Sequence, residues 1–237
     1  MNDPLVVTRF RLDGVIATVD GVTGGATLDQ HEEALKQAAV ADRLLITKTD
    51  LTGAPDLEPL EQRLRALNPA AALYRVTQGE IGPERLFGAG LYNPETKSAD
   101  VIRWLKAEAY GEEEGHGDRH GHHHGHDVNR HDESIRAFCL TYDKPLNWDR
   151  FNSWIEMLIT CHGADILRIK GLLDIEDMER PLVIHGVQHL FHAPVMLEAW
   201  PGRERCSQLV FIVRNLQKEM FEHTLRAFNE DSSDPLA

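Results

Sequence analysis

The sequence predicts a chain of two fold classes, an α/β unit with a parallel sheet followed by an α+β unit with an antiparallel sheet. Between residues 13 and 77, short apolar runs alternate with helical patterns, which favours parallel strands joined by crossover helices. After residue 133 the patterns follow the order βαβββα, typical of a small antiparallel sheet with two helices on one face. Residues 111–132 contain only one aliphatic side chain and cannot build a core, so we interpret them as a flexible linker.

The first unit, residues 1–110, shows three strand patterns and two helical patterns before a final helix expected around residues 99–109. The first strand pattern is DGVIATVD at residues 13–20, and after a glycine-containing loop Thr27 is predicted to cap a helix. The apolar run LLI predicts that the second strand is buried, and leucines at helical spacing mark the second helix. A third strand is predicted at residues 71–77. Because three strands make a thin parallel sheet, we expect this unit to be the later part of a larger domain.

The second unit, residues 133–231, opens with an alternating strand pattern at residues 134–142. A strand with a bulge near Gly171 is predicted at residues 165–175. Further strands include the very apolar QLVFIVR, and a last helix closes the unit. The helix predicted after the first strand places four apolar residues on its buried face, namely Phe151, Trp154, Ile155 and Leu158.

The overall composition limits the classes of partner. The formal net charge of −13 argues against nucleic acid, because phosphate binding needs a basic face. No apolar run approaches the roughly 18 residues that would suggest a membrane span, and the N-terminus lacks a signal-peptide pattern. The three cysteines are widely spaced and suit neither a disulfide framework nor a metal-binding pair. We therefore expect a cytoplasmic protein without nucleic-acid or membrane partners.

The polar loop after the second strand carries the clearest functional signal. Thr47-Lys48-Thr49-Asp50 differs by one residue from NKxD, the loop with which GTP-binding proteins recognise guanine. The Asp50 carboxylate can accept hydrogen bonds from the N1–H and N2 amino groups of guanine, a pair that adenine does not offer. The Lys48 stem can lie along the base, and Thr47 can anchor the loop. The alternative is an ordinary polar turn between a strand and a helix.

Two further observations bear on nucleotide binding. Thr77-Gln78-Gly79 follows the third strand, where a GTP-binding domain closes a loop over the base. A nucleoside triphosphatase also needs the phosphate loop GxxxxGK[ST], and the sequence contains no Gly-Lys pair. We therefore expect the chain to contact the base without hydrolysing GTP by itself.

The segment between the two units carries a second signal, a tract of six histidines. Neutral imidazole is a ligand for Zn²⁺, Co²⁺, Ni²⁺ and Cu²⁺, and a flexible segment can gather several such rings. We expect metal binding that weakens below about pH 6, where protons compete for the rings. The alternatives are an affinity tag and a merely polar spacer. The tract consists of His116, His120, His122, His123, His124 and His126.

Other polar residues receive structural interpretations. Arg168 and Lys170 are two apart and share one face of a strand, which we interpret as a solvated or paired face, with an anion or domain contact as the alternative. His185, His189 and His192 fall in or beside a predicted strand, and we interpret them as structural rather than metal-binding.

The segments DGVIATVD and VADRLLITKTDL, followed by ILRIKGLL, HGVQ and LVFIV, together resemble the CobW-type GTPases. A His-rich stretch between the two parts is also common in that family. The resemblance implies a GTP-dependent metallochaperone that delivers zinc or cobalt, related in part to cobalamin biosynthesis. It assigns Thr47, Lys48 and Asp50 to guanine binding and implies a client metalloprotein that contacts the C-terminal domain.

Two motifs of that family, the phosphate loop and CxCC, are missing from the sequence. We therefore expect an N-terminally truncated CobW-like protein that is not active as a GTPase alone. A second hypothesis is a stand-alone metal-binding or adaptor module without nucleotide chemistry. A third is a poorly folding remnant, whose exposed sheet edge would invite self-association.

Overall fold

The computed structural model describes residues 9–10, 12–88, 135–188, 190–202 and 205–229. It confirms the predicted fold class, because a three-stranded parallel sheet is followed by an antiparallel sheet with helices. The helix expected around residues 99–109 and the linker expected at residues 111–132 lie outside the described residues.

The first unit is a parallel sheet whose helices lie between successive strands along the chain. Its elements are β1 (Ile16–Asp20), α1 (Gly24–Gln30), α2 (Glu32–Val40), β2 (Arg43–Thr47), α3 (Ala54–Leu67) and β3 (Ala72–Arg75). The sheet order is β1-β2-β3, so the apolar run predicted as a buried strand is the central one. Leu44 and Ile46 of this strand pack against the helices and are almost fully buried.

The helical segment after β1 differs from the sequence prediction. It begins at Gly24 and is interrupted at His31, whose φ of −130° and ψ of 108° are extended. Thr27 is not a cap, because it lies inside α1 and its hydroxyl donates to the carbonyl of Thr23 at 3.0 Å. The prediction is wrong here because glycine is a poor helix former, so the pair Gly24-Gly25 has the sequence signal of a loop although it begins the helix.

The second unit is a six-stranded antiparallel sheet covered on one face by two helices. Its elements are β4 (Ile135–Tyr142), α4 (Trp148–His162), β5 (Ile166–Leu173), β6 (Leu182–Val187), β7 (Leu190–Phe191), β8 (Val195–Met196), β9 (Ser207–Arg214) and α5 (Lys218–Asn229). The sheet order is β4-β9-β5-β6-β7, and β8 pairs with β6. The aromatic residues of the helices meet those of the strands, and the Trp154 and Phe211 rings lie edge to face at 6.1 Å. All four residues predicted on the inner face of α4 are buried.

The irregularity predicted near Gly171 lies elsewhere. The register between β5 and β9 shifts between Ile166 and Arg168, and the ladder is regular at Gly171. A Cβ atom at residue 171 would lie 2.7 Å from Ile184 Cγ1 and 2.8 Å from Leu209 Cδ2. The glycine is therefore needed for close packing between neighbouring strands rather than for a bulge.

Apolar contacts join the two units directly. Ile135, Leu167 and Ile212 of the antiparallel sheet belong to the same buried cluster as the inner faces of α2 and α3. The antiparallel sheet thus has its own helices on one face and the helices of the first unit on the other.

Candidate functional site

The predicted base-binding loop lies at the carboxyl ends of two adjacent parallel strands. Thr47 ends β2, and Asp20 ends the neighbouring β1, so the two residues are paired in the sheet register. Lys48 follows with a φ of 56°, a left-handed conformation that few residues other than glycine adopt. The chain therefore turns sharply out of the sheet where open α/β sheets bind ligands.

Backbone contacts tie the loops after β1 and β2 together. The Gly21 N–H donates to the Thr47 carbonyl at 2.8 Å, and the Thr47 hydroxyl donates to the Val19 carbonyl at 3.4 Å. A Cβ atom on residue 21 would lie 2.8 Å from that Thr47 oxygen, so a larger residue would push the loops apart. The sequence identified Gly21 only as part of a loop, whereas the structure gives it a specific place beside Thr47.

Asp20 is a site residue that the sequence analysis did not identify. Its carboxylate accepts hydrogen bonds from the N–H groups of Val22 at 2.8 Å and Thr23 at 3.1 Å, and it pairs with the Lys48 ammonium. The Lys48 contact, followed by the two N–H groups, lowers the pKa of Asp20 to about 2. An acid followed by small and polar residues after a strand is a turn signal that could have indicated this role.

The loop after β3 lies beside the loop after β2, at the position expected from the sequence. The Thr49 hydroxyl donates to the Val76 carbonyl at 3.3 Å and lies 2.9 Å from the Thr77 hydroxyl. Gln78 and Gly79 both have positive φ values, so the chain reverses tightly there. The loops after all three strands of the parallel sheet therefore meet at one edge.

A cavity of about 320 Å³ adjoins this edge, within the size range of small-molecule pockets. Thr47 and Lys48 line it together with residues 17–20 of β1, which include Asp20, and with both polar and apolar residues of α1 and α2. Asp50 is exposed and is not among the lining residues. The structure thus brings two of the three predicted base-binding residues to the cavity and leaves Asp50 on the solvent side, where a ligand can reach its carboxylate.

A buried cluster of charges lies at the opposite end of β2 and joins the two units. The Arg168 guanidinium donates to the Asp42 carboxylate and to the Val40 carbonyl, and Lys170 Nζ lies 3.5 Å from Asp42 Oδ1. The Val15 N–H donates to the other carboxylate oxygen at 3.0 Å. Burial opposes the ionisation of Asp42, but Arg168 and then Lys170 hold the pKa of this carboxyl well below its usual range. The domain contact considered for the two cations is therefore observed.

The histidines divide into two groups. The six tract histidines lie outside the described residues, as does His189. Among the residues that the structure does describe, no three His, Cys, Asp or Glu side chains are grouped so that they could hold a metal ion. His185 is buried and stacks on His192 with ring centroids 4.2 Å apart. Burial, followed by the nearby Arg168 charge, lowers the pKa of His185 to about 3, so the ring is neutral at pH 7.

The described helices are too short or too polar to cross a membrane. Cys139, Cys161 and Cys206 form no disulfide with one another.

Two protein-family models match the chain. Residues 1–75 match the CobW/HypB/UreG nucleotide-binding domain, and residues 135–229 match the cobalamin synthesis protein cobW C-terminal domain. The order of the two matched domains is the order of the two sheets in the structure.

Known proteins show the same similarity. The chain is 30% identical to the zinc chaperone YjiA of Escherichia coli (strain K12) over 211 residues, which are 89% of this chain and 59% of that protein. It is also similar to two crystal structures, zinc-bound E. coli YjiA GTPase at 26% identity and a zinc-bound triple mutant of YjiA at 27% identity. Each has a TM-score of 0.69, with 96% of this chain and 64% of the YjiA chain covered. The chain therefore spans less than two thirds of the length of these relatives.

Proposed function

The chain belongs to the CobW family by both of its domains, and from this premise we propose that it binds guanine and a divalent metal as part of a GTP-dependent metal chaperone. The guanine-binding part of this proposal rests on one observation. Thr47, Lys48 and Asp20 line the same cavity, next to the carboxyl ends of β1 and β2. The relatives described as a zinc chaperone and as a GTPase support the combination of the two activities.

In the proposed base site each residue has a separate role. Asp50 accepts hydrogen bonds from the N1–H and N2 amino groups of guanine, which makes the site specific. The apolar stem of Lys48 lies along the flat face of the base. Thr47 holds the loop to β1 through the contacts of its hydroxyl and its carbonyl. These residues contact the base and not the phosphates. We expect no GTP hydrolysis from them alone, because hydrolysis also needs a phosphate loop with its Gly-Lys pair, which this sequence does not contain.

The base site is tested by titrating the chain with guanosine and with adenosine while amide resonances of residues 47–51 are followed by NMR. We expect guanosine to shift these resonances at lower concentration than adenosine does. Asp50→Ala should abolish the preference, because the two donors of guanine lose their acceptor. Asp143→Ala, which removes an equally exposed acid in the second unit, is the control. An unchanged preference in the Asp50→Ala chain would refute the assignment.

For the metal half, we propose that the histidines at 116–126 bind Zn²⁺, with Co²⁺ or Ni²⁺ as alternatives and a link to cobalamin biosynthesis if cobalt is the physiological ion. Calorimetric titration with Zn²⁺ tests this site. Replacing the six tract histidines by alanine should remove the binding, whereas replacing His31, His162 and His223 should not. Binding that survives the first set of replacements would overturn the proposal.

A second candidate function is a metal-binding or adaptor module without nucleotide chemistry. The position of Asp50 outside the lining of the cavity favours this second candidate. The two candidates separate cleanly, because such a module would bind Zn²⁺ and show no preference between guanosine and adenosine.

We further propose two kinds of partner. The first is a client metalloprotein that contacts the C-terminal domain, for which the description of the relative as a zinc chaperone is the support. The second is another copy of the chain, paired through the outer edge of β1, which no other described strand covers and where Ile16 is exposed. Ile16→Lys should then shift the mass measured by light scattering toward that of the monomer.

We also propose a cytoplasmic location. The three cysteines agree with it, because none of them forms a disulfide with another.

A further inference from the structure

We propose that Asp20 is a positioning residue for base recognition, which holds the Lys48 side chain in place and thereby contributes to the preference for guanine. This inference rests on the proposed function, because it assigns a role within the same site. It adds a residue from a different strand, one that lies outside the Thr47–Asp50 loop in sequence.

The Asp20 carboxylate is held in place by backbone contacts that do not involve Lys48. The same carboxylate oxygen accepts hydrogen bonds from the Val22 and Thr23 N–H groups, so the turn after β1 orients the carboxylate. The other oxygen pairs with the Lys48 ammonium. An ordinary surface ion pair joins two mobile side chains, whereas here one of the two partners is held by the backbone.

Lys48 is the partner that needs such support. Its side chain is 57% exposed and has four flexible carbon–carbon links, so packing alone does not select one orientation. Its backbone is held at one end by the left-handed turn and by the bond between Gly21 and Thr47. The contact with Asp20 fixes the other end, at the ammonium. The stem between the two fixed ends therefore lies along the cavity that Lys48 and Asp20 both line.

A fixed stem matters because a base stacks on it only when it is in place. If Asp20 is lost, the lysine must be ordered at the moment of binding, and the cost of this ordering reduces the affinity. The charge of Asp20 does not touch the base in this scheme. Its effect must therefore pass through Lys48, and this property separates a positioning role from a structural one.

The test is a double-mutant cycle on guanosine affinity, measured by the NMR titration with the full chain. Asp20→Asn keeps an acceptor for the two N–H groups and removes only the charge that holds Lys48. Asp20→Ser provides a second variant of the same kind. Each is combined with Lys48→Met, which keeps an apolar stem and removes the ammonium. Glu61→Gln, which breaks the ion pair with Arg75, is the control.

We expect Asp20→Asn to weaken guanosine binding by about 2–5-fold, the effect that a solvent-exposed ion pair usually has. In the Lys48→Met chain the same substitution should have no further effect. Two results would overturn the inference and leave the base site itself intact. The first is that Asp20→Asn leaves guanosine affinity unchanged in the chain that keeps Lys48. The second is that Asp20→Asn lowers the affinity equally with Lys48 and with Lys48→Met. A wild-type chain that does not distinguish guanosine from adenosine would overturn the proposed function and this inference with it.

Discussion

The two ends of strand β2 each carry an ion pair, and the pairs lie in opposite environments. At the carboxyl end, the side chains of Lys48 and Asp20 are 57% and 23% exposed. At the amino end, those of Arg168 and Asp42 are 2% and 4% exposed. The first pair joins two loops of one sheet, and the second joins the two units of the protein.

The difference indicates how the charges are used. Water screens the exposed pair, so it adds little to stability but remains accessible to a ligand. The buried pair has given up its hydration, and removing one partner would leave the other charge buried with less compensation than it has now. We conclude that one end of β2 is available for binding, while the other end holds the parallel sheet against the C-terminal domain. Four predictions test this comparison.

The largest effect is expected from Arg168→Met, which leaves the buried Asp42 carboxylate with Lys170 as its remaining cation. The free energy of unfolding in urea should fall by about 3–5 kcal/mol. Lys48→Met likewise removes the cation of the exposed pair and should cost less than about 1 kcal/mol. Equal losses in the two variants would show that the two pairs do not differ in the way proposed.

A second effect at the buried end concerns Asn68, whose side-chain amide donates to the carbonyls of Ala38, Ala39 and Ala41 at 2.8–3.0 Å. These carbonyls lie at the end of helix α2 and would lose the Asn68 donor in Asn68→Ala. We expect a loss of roughly 1–3 kcal/mol in the same urea experiment. Asn152→Ala removes an exposed amide that donates to Glu156 and should change stability by less than about 0.5 kcal/mol. Similar losses in both would contradict the prediction.

Acid should lower the free energy of unfolding through a histidine at the buried end of β2. The pKa of His185 is lowered from 6.5 to about 3 in the fold, so the ring stays neutral there while the unfolded chain takes up a proton below about pH 6.5. Stability should therefore fall between about pH 6.5 and 3, by about 2 kcal/mol at pH 5. Asp42, Arg168, Lys170 and His192 are the charged or titratable groups that act on this ring, or stack on it.

Asp42 adds a further loss only below about pH 3.8, because this carboxyl then takes up a proton in the unfolded chain while its lowered pKa keeps it charged in the fold. In His185→Phe the slope of unfolding free energy against pH, measured between pH 7 and 5, should become smaller. His223→Phe, at an exposed position of α5, is the matched control substitution. A slope that is unaffected by His185→Phe would exclude this histidine as its origin.

The smallest effect on stability is expected from Asp20→Asn at the exposed end. Its side chain can still accept the two N–H bonds, and the lost ion pair is screened, so thermal and urea unfolding should change by less than about 1 kcal/mol. The larger consequence should be in base binding. A loss above about 2 kcal/mol would instead show that Asp20 supports the fold of the sheet edge.

Local patterns predicted the elements well wherever the cause of an element was local. The apolar run in β2 and the helical spacing of Trp154 with its neighbours predicted a buried strand and a buried helix face, and both are observed. The start of α1 at Gly24 was missed, because there tertiary packing outweighs the helix propensity of glycine.

The candidate site was predicted in the same uneven way. The loop at Thr47 and Lys48 has a recognisable order of residue types, so it could be found without coordinates. Asp20 could not be assigned to it, since it lies 28 residues from Lys48 in the sequence and reaches it only through parallel pairing of β1 with β2. The assignment of Asp50 to guanine binding stays a prediction.

By itself, the sequence determined the two fold classes, the position of the loop proposed to bind the base and the presence of a histidine tract, because periodicity, residue order and composition are properties of neighbouring residues. Only the tertiary structure decided which charges meet. Arg168 reaches Asp42 across 126 residues, and the strand pattern of RIKG contains nothing that names its partner. A charge on a strand face is satisfied equally well by water or by a distant carboxylate, and the packing of the two units makes that choice.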